Sequence, residues 1–413
     1  MSARDPELTS LLHEHAARHG APGAALCISR AGNTTTAVYG VVDTRTGARV
    51  TDDTRFAIGS LGKSMVATAF ALLAADGRLR LDDMAVMHVP ELRGASWAER
   101  ATIRDLLANR SRLPLLDRHE FEPSADEDDG VLSRFAAGVS SGERTGSFWS
   151  YSNAGWCLLG RALEIVTGVI WEEAMRSEVI GPLGLEQTTF ANSPVTEPRA
   201  TGHRGSTPVR RWSPRSLGPA GSTLLSTATD LARFAEAHLT EPALAELRES
   251  HAEVAIHSWL DAWCLGWARF DWKDGPVWGW DGLVPGQRAI LRLVPDTGTA
   301  VALLTNGDNG RAVYRSLFAE LMTLPPSHLR QSPGSAGDLA RFVGEYAWPD
   351  RHWTASIDGD GLLLEGDGRR IEAQPLDDRT FLVDASDPDN PTVTIDEDVL
   401  YVMLWGLPRV VRG

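Results

Sequence analysis

The chain has 413 residues, 43% of them hydrophobic and 23% charged, which is the composition of a folded protein with room for two or three domains. Its net charge of −15, without a basic stripe, argues against nucleic acid as a partner. The longest apolar run, 65–75, is too short to span a bilayer and the first residues lack a signal-peptide core, so we expect a cytoplasmic protein with no membrane partner.

Helix and strand patterns follow one another through the first three quarters of the chain. Apolar periodicity predicts a helix over 8–19, ended by Gly20, and then two strands over 24–29 and 35–42 around a Gly32-Asn33 turn. A strongly apolar helix over 65–76 follows, closed by Gly77. Further predicted elements are helices over 102–107, 157–166, 227–238 and 311–322, and strands over 288–294 and 299–304.

The last part of the chain has a different pattern. Residues 326–337 are rich in Pro, Ser and Gly and predict a linker. Beyond it, short β-type runs separated by Gly and Asp-Gly turns predict a small all-β barrel or sandwich. These runs cover 342–346, 354–357, 361–365, 380–383, 392–395 and 399–404. We therefore expect a large domain over 1–325, a linker over 326–337 and a β-domain over 338–413.

Ser60 and Lys63 stand three residues apart at the start of the apolar helix, so their side chains share one face. A serine alkoxide needs a neighbouring base, and a desolvated neutral lysine can serve as one. The choice of lysine is informative, because 40 residues are Lys or Arg and only Lys63 and Lys273 are lysine. Arginine stays protonated and would not act as a base. The pair therefore predicts a nucleophile and its base, although a surface lysine at a helix start is the plainer alternative.

Gly62-Lys63-Ser64 also ends the phosphate-loop pattern G-x-x-x-x-G-K-[ST]. That pattern needs glycine at position 57, where this chain has Ala57. Without this glycine the backbone loses the freedom that the tight turn requires. Nucleotide binding is thus the weaker hypothesis.

Two other stretches carry candidate site residues. Tyr151 and Asn153 precede the helix predicted over 157–166, where a tyrosine can shuttle a proton and an asparagine can bind a substrate carbonyl. Asn153 could instead be a helix N-cap. Six of the 14 tryptophans lie between Trp259 and Trp280, which suits either a core or a pocket for an apolar acyl group.

In chain order, Ser60/Lys63, Tyr151/Asn153 and a glycine strand match the S-x-x-K, S-D-N, K-T-G motif set, with tyrosine at the first serine of the middle motif. On these motifs the chain resembles the serine β-lactamase and penicillin-binding-protein superfamily, closest to its class C-like esterase, D-peptidase and transacylase branch. The resemblance spans about residues 8–325. It also rests on the segments Phe56–Gly59, Asp76–Leu79, Trp149–Asn153, Gly181–Leu185, Ala220–Ser222 and Leu303–Asn306.

The resemblance implies an α/β (α+β) fold class: a β-lactamase/transpeptidase-like antiparallel sheet flanked by helices, with a helical subdomain and a lipocalin-like barrel behind it. It makes Ser60 the nucleophile, Lys63 its base and Tyr151 the acid and base for the leaving group and the acceptor. Asn153 would orient the substrate carbonyl. The implied third motif is Trp280-Asp281-Gly282, with the N–H groups of Ser60 and Leu283 forming an oxyanion hole, so the expected substrate-binding residues are Asn153, Trp280, Gly282 and Leu283. The chemistry needs no metal or organic cofactor.

Two departures from the family pattern affect the expected substrate. Where many members have Lys or His, this chain has Trp280, which offers one neutral donor and an apolar face and so disfavours substrates held by a carboxylate. Arg112 replaces a glycine of the usual His-x-Ser-Gly-Leu-Pro segment. Arg110 or Arg112 could bind an anionic substrate or have a structural role, and the same alternatives hold for the arginines of the loop 191–219.

The resulting interpretation is a serine acyl-enzyme enzyme that cleaves an ester, thioester or amide through Ser60. The acyl group would pass to water or to an amine or alcohol acceptor, in small-molecule metabolism that includes natural-product tailoring. A transacylase or macrocyclising enzyme rather than a hydrolase is one alternative. A noncatalytic binder on the same fold is the other.

Overall fold

The computed structural model describes residues 3–110, 128–139, 148–194, 198–209, 214–254, 260–322, 337–348, 351–383, 392–396, 398–402 and 404–410. The predicted linker lies outside these residues except for Gly337, so the proposed domain boundaries remain predictions. Arg112, Arg210, Arg211 and Trp259 also lie outside the described residues.

Within the described ranges, one nine-stranded sheet forms the centre of the large domain. In spatial order its strands are Ala3–Arg4, Asn33–Gly40, Gly23–Arg30, Thr299–Thr305, Gln287–Val294, Gly275–Val284, Ala268–Trp272, Ala262–Trp263 and Ala252–Glu253. All neighbours are antiparallel except the short first pair. Because Thr299–Thr305 pairs with Gly23–Arg30, the beginning and the end of this region meet in the middle of the sheet. Three short strands, Phe56–Ala57, Leu224–Ser226 and Thr189–Phe190, form a second sheet, and His203–Arg204 pairs with Thr207–Pro208.

Helices cover the central sheet. Pro6–Arg18 and Gly310–Leu321 pack against each other and the sheet, Ala228–Thr240 packs on the same central strands, and Thr299–Thr305 is buried along its whole length. Further described helices are Gly62–Ala75, Ala85–His88, Ile103–Leu107, Val131–Val139, Asn153–Thr167 and Trp171–Met175, with a π-turn over Arg176–Ile180 and 3₁₀ turns over Gly59–Leu61, Pro90–Leu92, Arg215–Ala220, Pro242–Arg248, Pro295–Thr297 and Leu339–Phe342. None of the helices in the described ranges is by itself long and apolar enough to cross a membrane. Within those ranges, Asn153–Thr167 and Trp171–Ile180 reach that length and hydropathy only when taken together, and the two are bent by 79° relative to each other.

The C-terminal strands form a nearly closed barrel, as predicted. In the described residues its eight strands run in sequence order: Gly344–Trp348, Arg351–Asp358, Gly361–Gly366, Arg369–Pro375, Thr380–Leu382, Thr392–Asp396, Val399–Val402 and Trp405–Pro408. A bridge between Tyr346 and Arg409 and a 2.8 Å hydrogen bond from Val410 N–H to the Glu345 carbonyl join the two ends. The interior is a separate hydrophobic cluster that includes Trp353, Phe381 and Leu400.

Several strands were not predicted from residue patterns, and one of them, Gly275–Val284, was implied only by the family resemblance as the glycine strand that carries Trp280-Asp281-Gly282. Ala268–Trp272 and Gly275–Val284 lie in the tryptophan-rich stretch, and Arg369–Pro375 and Trp405–Pro408 lie in the barrel. The strand Gly275–Val284, hereafter the tryptophan strand, begins Gly-Pro-Val-Trp-Gly-Trp, where two glycines and a proline, residues depleted in strands, interrupt the strand-forming valine and tryptophans. Pairing on both sides, with Ala268–Trp272 and Gln287–Val294, fixes its conformation instead.

A buried ion network is centred on Asp281 of the tryptophan strand. The Asp281 carboxylate accepts a 2.7 Å hydrogen bond from Arg292 and a 3.0 Å hydrogen bond from Arg311. Burial by itself would raise the pKa of Asp281, but the charges of Arg292 and Arg311 outweigh that effect and lower it. Arg292 is 1% exposed and lies over the rings of Phe270 and Tyr314. The network therefore joins three strands and the helix Gly310–Leu321 to one carboxylate.

Asp281→Ala is expected to lower the free energy of unfolding by about 3–5 kcal/mol, because it leaves two buried guanidinium groups without their counter-ion. Urea denaturation would measure the loss. The matched control is Asp271→Ala, which removes a partly exposed ion pair with Arg269 and should change stability by less than about 1 kcal/mol. Equal effects of the two substitutions would contradict the assigned role of the network.

Candidate active site

Ser60 lies on the 3₁₀ turn that leads directly into the helix Gly62–Ala75, which starts three residues earlier than predicted. The turn is packed between two backbone segments that leave no room for a side chain. A β-carbon on Gly221 would lie 1.8 Å from the Gly59 carbonyl oxygen, and one on Gly282 would lie 1.7 Å from the Ile58 carbonyl oxygen. Glycine at both positions therefore fixes where Ser60 sits relative to the sheet.

Lys63 is buried against Ser60, as the i, i+3 spacing predicted. Its Nζ lies 3.0 Å from Ser60 Oγ and donates a 2.8 Å hydrogen bond to the Ala220 carbonyl. The side chain is 0% exposed, and burial lowers the pKa of Lys63 to about 7. An amine with this pKa is substantially neutral at neutral pH and has a lone pair to accept the Ser60 proton. Both plainer alternatives, a surface lysine and a phosphate-binding lysine, are inconsistent with this burial.

Tyr151 completes the cluster. Its ring centroid lies 4.9 Å from Lys63 Nζ, and the residue is 6% exposed. Burial raises the pKa of Tyr151 well above its ordinary value, while the side chains of Ser60 and Trp280 beside the hydroxyl limit that rise. The phenol therefore keeps its proton at neutral pH. Lys63 and Tyr151 thus differ in protonation: one is ready to accept a proton and the other to donate one.

The third predicted motif lies directly beside the Ser60 turn. A β-carbon on Gly282 would be 3.2 Å from the Ser60 nitrogen, and one on Gly59 would be 2.7 Å from the Leu283 nitrogen. The two N–H groups assigned to the oxyanion hole thus belong to segments in close contact. The Leu283 side chain is 60% exposed, which leaves an apolar surface at the edge of the site.

Trp280 is buried among other aromatic side chains. It is 2% exposed, packs edge-on against Trp263 with ring centroids 4.6 Å apart, and lies at a tilt of 38° to the ring of Tyr151 with centroids 5.6 Å apart. Trp263 and Trp267 are also fully buried. Core packing therefore accounts for much of the tryptophan-rich stretch. The substrate-binding role of Trp280 remains a prediction.

Asn153 is the first residue of the helix Asn153–Thr167, which begins four residues before the predicted start. The N-cap is Ser152, whose Oγ accepts a 3.3 Å hydrogen bond from Gly155 N–H. The alternative N-cap role for Asn153 is therefore wrong. Its side chain is partly exposed, which is compatible with the predicted contact to a substrate carbonyl.

Sequence analysis assigned no role to Asn109, yet this residue supports the tyrosine segment, defined as residues 148–152. Its carbonyl accepts a 3.0 Å hydrogen bond from Ser150 N–H, and its Oδ1 accepts hydrogen bonds from Ser152 N–H at 3.4 Å and Trp156 Nε1 at 3.1 Å. Asn109 has φ 54°, in the left-handed region that asparagine tolerates. An asparagine two residues beyond the helix Ile103–Leu107 is the local signal that could have indicated it.

Three arginines considered as anion ligands have structural partners. Arg110 donates to the His251 carbonyl, Arg199 to the carbonyls of Ala191 and Ser193, and Arg215 pairs with the buried Glu172.

Among the residues that the structure describes, no group of three His, Cys, Asp or Glu side chains is placed to hold a metal ion.

Comparison with known proteins agrees with this geometry. The β-lactamase family model matches residues 8–321. Penicillin-binding protein 4 of Amycolatopsis lactamdurans is 33% identical over 331 residues, which cover 74% of this chain and 86% of the relative. The crystal structure of SurE superposes with a TM-score of 0.82 at 28% identity over 98% of both chains, so the match includes the barrel. SurE with D-Leu gives a TM-score of 0.80 at 26% identity, over 98% of this chain and 99% of that one.

These matches confirm the β-lactamase/transpeptidase-like fold predicted from the motifs. The family model covers most of the large domain, and it contains the Ser60 turn, the tyrosine segment and the tryptophan strand. By sequence, fold and motif order, the chain belongs to the β-lactamase family.

Proposed function

We propose that the protein is a serine acyl-enzyme enzyme that cleaves an ester, thioester or amide and transfers the acyl group from Ser60 to water or to an amine or alcohol. The single observation that carries this proposal is the buried contact between Lys63 Nζ and Ser60 Oγ at 3.0 Å, with the pKa of Lys63 lowered to about 7. A lysine held in this way has no evident structural use, since burial without a carboxylate partner costs stability.

The proton transfers follow from the two protonation states. Lys63 takes the Ser60 proton as Oγ attacks the carbonyl carbon, and the N–H groups of Ser60 and Leu283 stabilise the oxyanion. As the carbonyl–leaving-group bond breaks, the Tyr151 hydroxyl gives its proton to the departing atom, and Lys63 returns a proton to Tyr151. The acceptor then attacks the acyl-enzyme by the reverse sequence, and Ser60 regains its proton.

Three points bear on the acyl group and the acceptor. The family resemblance implies that Trp280 takes the place of a cation that in many members can hold a substrate carboxylate. Leu283 is 60% exposed and presents an apolar side chain at the edge of the site. SurE, which matches the chain over its full length including the barrel, has been solved with D-Leu. We therefore propose an apolar acyl donor or acceptor that contains a D-amino acid, without a free carboxylate at the reacting end, in small-molecule metabolism.

Ser60→Ala is expected to abolish both turnover of activated aryl esters and the transient acyl adduct in intact-mass spectra, because the substitution removes the attacking oxygen. Ser64→Ala is the matched control, since Ser64 lies in the same helix but its hydroxyl is bonded to the Gly266 carbonyl. The control should still form the adduct. If the wild type shows neither turnover nor an adduct and Ser60→Ala behaves in the same way, the protein would instead be a noncatalytic binder.

The acylation rate is expected to rise with pH and level off above an apparent pKa of about 7, because only neutral Lys63 accepts the Ser60 proton. Lys63→Arg should lower the rate by roughly 10²–10⁴-fold at every pH, since a guanidinium stays charged. The exposed Lys273→Arg provides the control and should keep the wild-type profile. Stopped-flow burst kinetics between pH 5 and 9 would measure both. A pH-independent wild-type rate would exclude Lys63 as the base.

An amine acceptor should divert the acyl-enzyme from hydrolysis to amide formation. With an aryl ester donor and a panel of D- and L-amino-acid amides, product analysis by mass spectrometry is expected to show amide that increases with amine concentration and forms faster with the D-series. Products that stay purely hydrolytic over the whole panel would make the enzyme a hydrolase. Equal rates for the two series would remove the D-amino-acid proposal alone.

A further inference from the structure

The barrel touches the large domain at the backbone of Tyr151. The contact is made by the closing hairpin, defined as the last two barrel strands, Val399–Val402 and Trp405–Pro408, together with Leu404. Tyr151 N–H donates a 3.0 Å hydrogen bond to the Leu404 carbonyl. Gly406 N–H donates a 3.3 Å hydrogen bond to Ser150 Oγ.

The tyrosine segment is held from two sides in alternation. The N–H groups of Ser150 and Ser152 donate to Asn109, in the large domain, whereas the intervening N–H of Tyr151 donates to Leu404. Alternate N–H groups of an extended chain point to opposite sides, so the large domain can hold the backbone of the two serines while the hairpin holds the backbone of the tyrosine. A shift of the hairpin would therefore act on Tyr151 first.

Close packing accompanies these hydrogen bonds. A β-carbon on Gly406 would lie 2.9 Å from the Phe148 ring, 3.0 Å from the Trp149 carbonyl oxygen and 3.0 Å from the Tyr401 ring. Tyr401 is 7% exposed and belongs to the hydrophobic cluster of the large domain, although its neighbours Leu400 and Val402 belong to the barrel interior. The closing hairpin is thus a structural part of both domains.

We propose that the closing hairpin is a positioning element for Tyr151, so that the C-terminal barrel takes part in protonating the leaving group. A tyrosine side chain has only two rotatable bonds, and the ring of Tyr151 is packed against Trp263 and Trp280. The distance from its hydroxyl to the reacting atoms then depends on the backbone that the hairpin holds. This inference rests on the proposed acyl-enzyme function.

The test uses the dependence of rate on the leaving group. A p-nitrophenolate leaves without a proton, whereas an alkoxide must be protonated as it departs, so loss of the general acid selectively slows alkyl esters. Gly406→Ala in the full chain is expected to lower kcat/KM for an alkyl ester at least roughly 10-fold more than for the p-nitrophenyl ester of the same acid, since displacements of about 1 Å can cost 100-fold. Tyr151→Phe should show the same selectivity, more strongly.

Gly361→Ala is the matched control. It adds a methyl group 2.5 Å from the Ala373 carbonyl oxygen inside the barrel, away from the closing hairpin, so it strains the same domain. We expect it to lower the melting temperature and to leave the ratio of the two ester rates unchanged. A ratio that also changes in Gly361→Ala would overturn the specific role of the hairpin.

If Gly406→Ala does not fold, Ser150→Ala replaces it, because that substitution removes the acceptor for Gly406 N–H without adding volume. A smaller selective loss for the alkyl ester is then expected. Equal losses for both esters, or none, would overturn the inference while leaving the proposed function intact. The proposed function is tested separately by Ser60→Ala: if that variant keeps its full esterase activity, the proposed function is wrong.

Discussion

The site depends on the removal of one lysine from water. Lys63 is fully buried and contacts a hydroxyl and a carbonyl, neither of which carries charge. Desolvation penalises the ammonium form and lowers the pKa of Lys63 to about 7, so the fold itself produces an amine that is able to act as a base. The nearby Cys157 provides no counter-charge, because burial raises the pKa of its thiol to about 12. The apolar helix Gly62–Ala75 and the segment that ends at Ala220 therefore set the pKa of Lys63 as well as forming part of the core.

Close backbone packing gives this base a defined partner. The Ser60 turn is held between Gly221 and Gly282, where even a methyl group would overlap a carbonyl oxygen. Gly282 belongs to the tryptophan strand, and the ion pairs of Asp281 with Arg292 and Arg311 hold that strand in place. Ser60 is thus connected through one strand to the central sheet. Such a site can keep its geometry while charge develops, which is what electrostatic stabilisation of an oxyanion requires.

The barrel is connected to the same site from the other side. Its hydrophobic interior is separate from that of the large domain, yet Tyr401 and Leu404 of the closing hairpin pack on the large domain. Hydrogen bonds of the tyrosine segment alternate between Asn109 and the hairpin. In a family whose chemistry lies in the large domain, this contact gives the added β-domain a physical route to the reacting atoms.

The sequence by itself determined the features that are local. The spacing of Ser60 and Lys63, the helices with clear apolar periodicity and most barrel strands depend on neighbouring residues, so their patterns predicted them. Only the tertiary structure decided the rest. The tryptophan strand becomes a strand by pairing with neighbours on both sides. Asn109 binds the tyrosine segment through its carbonyl and its Oδ1, and Leu404 binds it through its carbonyl, and both residues are distant from that segment in the chain. The shift in the pKa of Lys63 likewise required the fold, because desolvation is produced by segments distant in the chain that close around the amine.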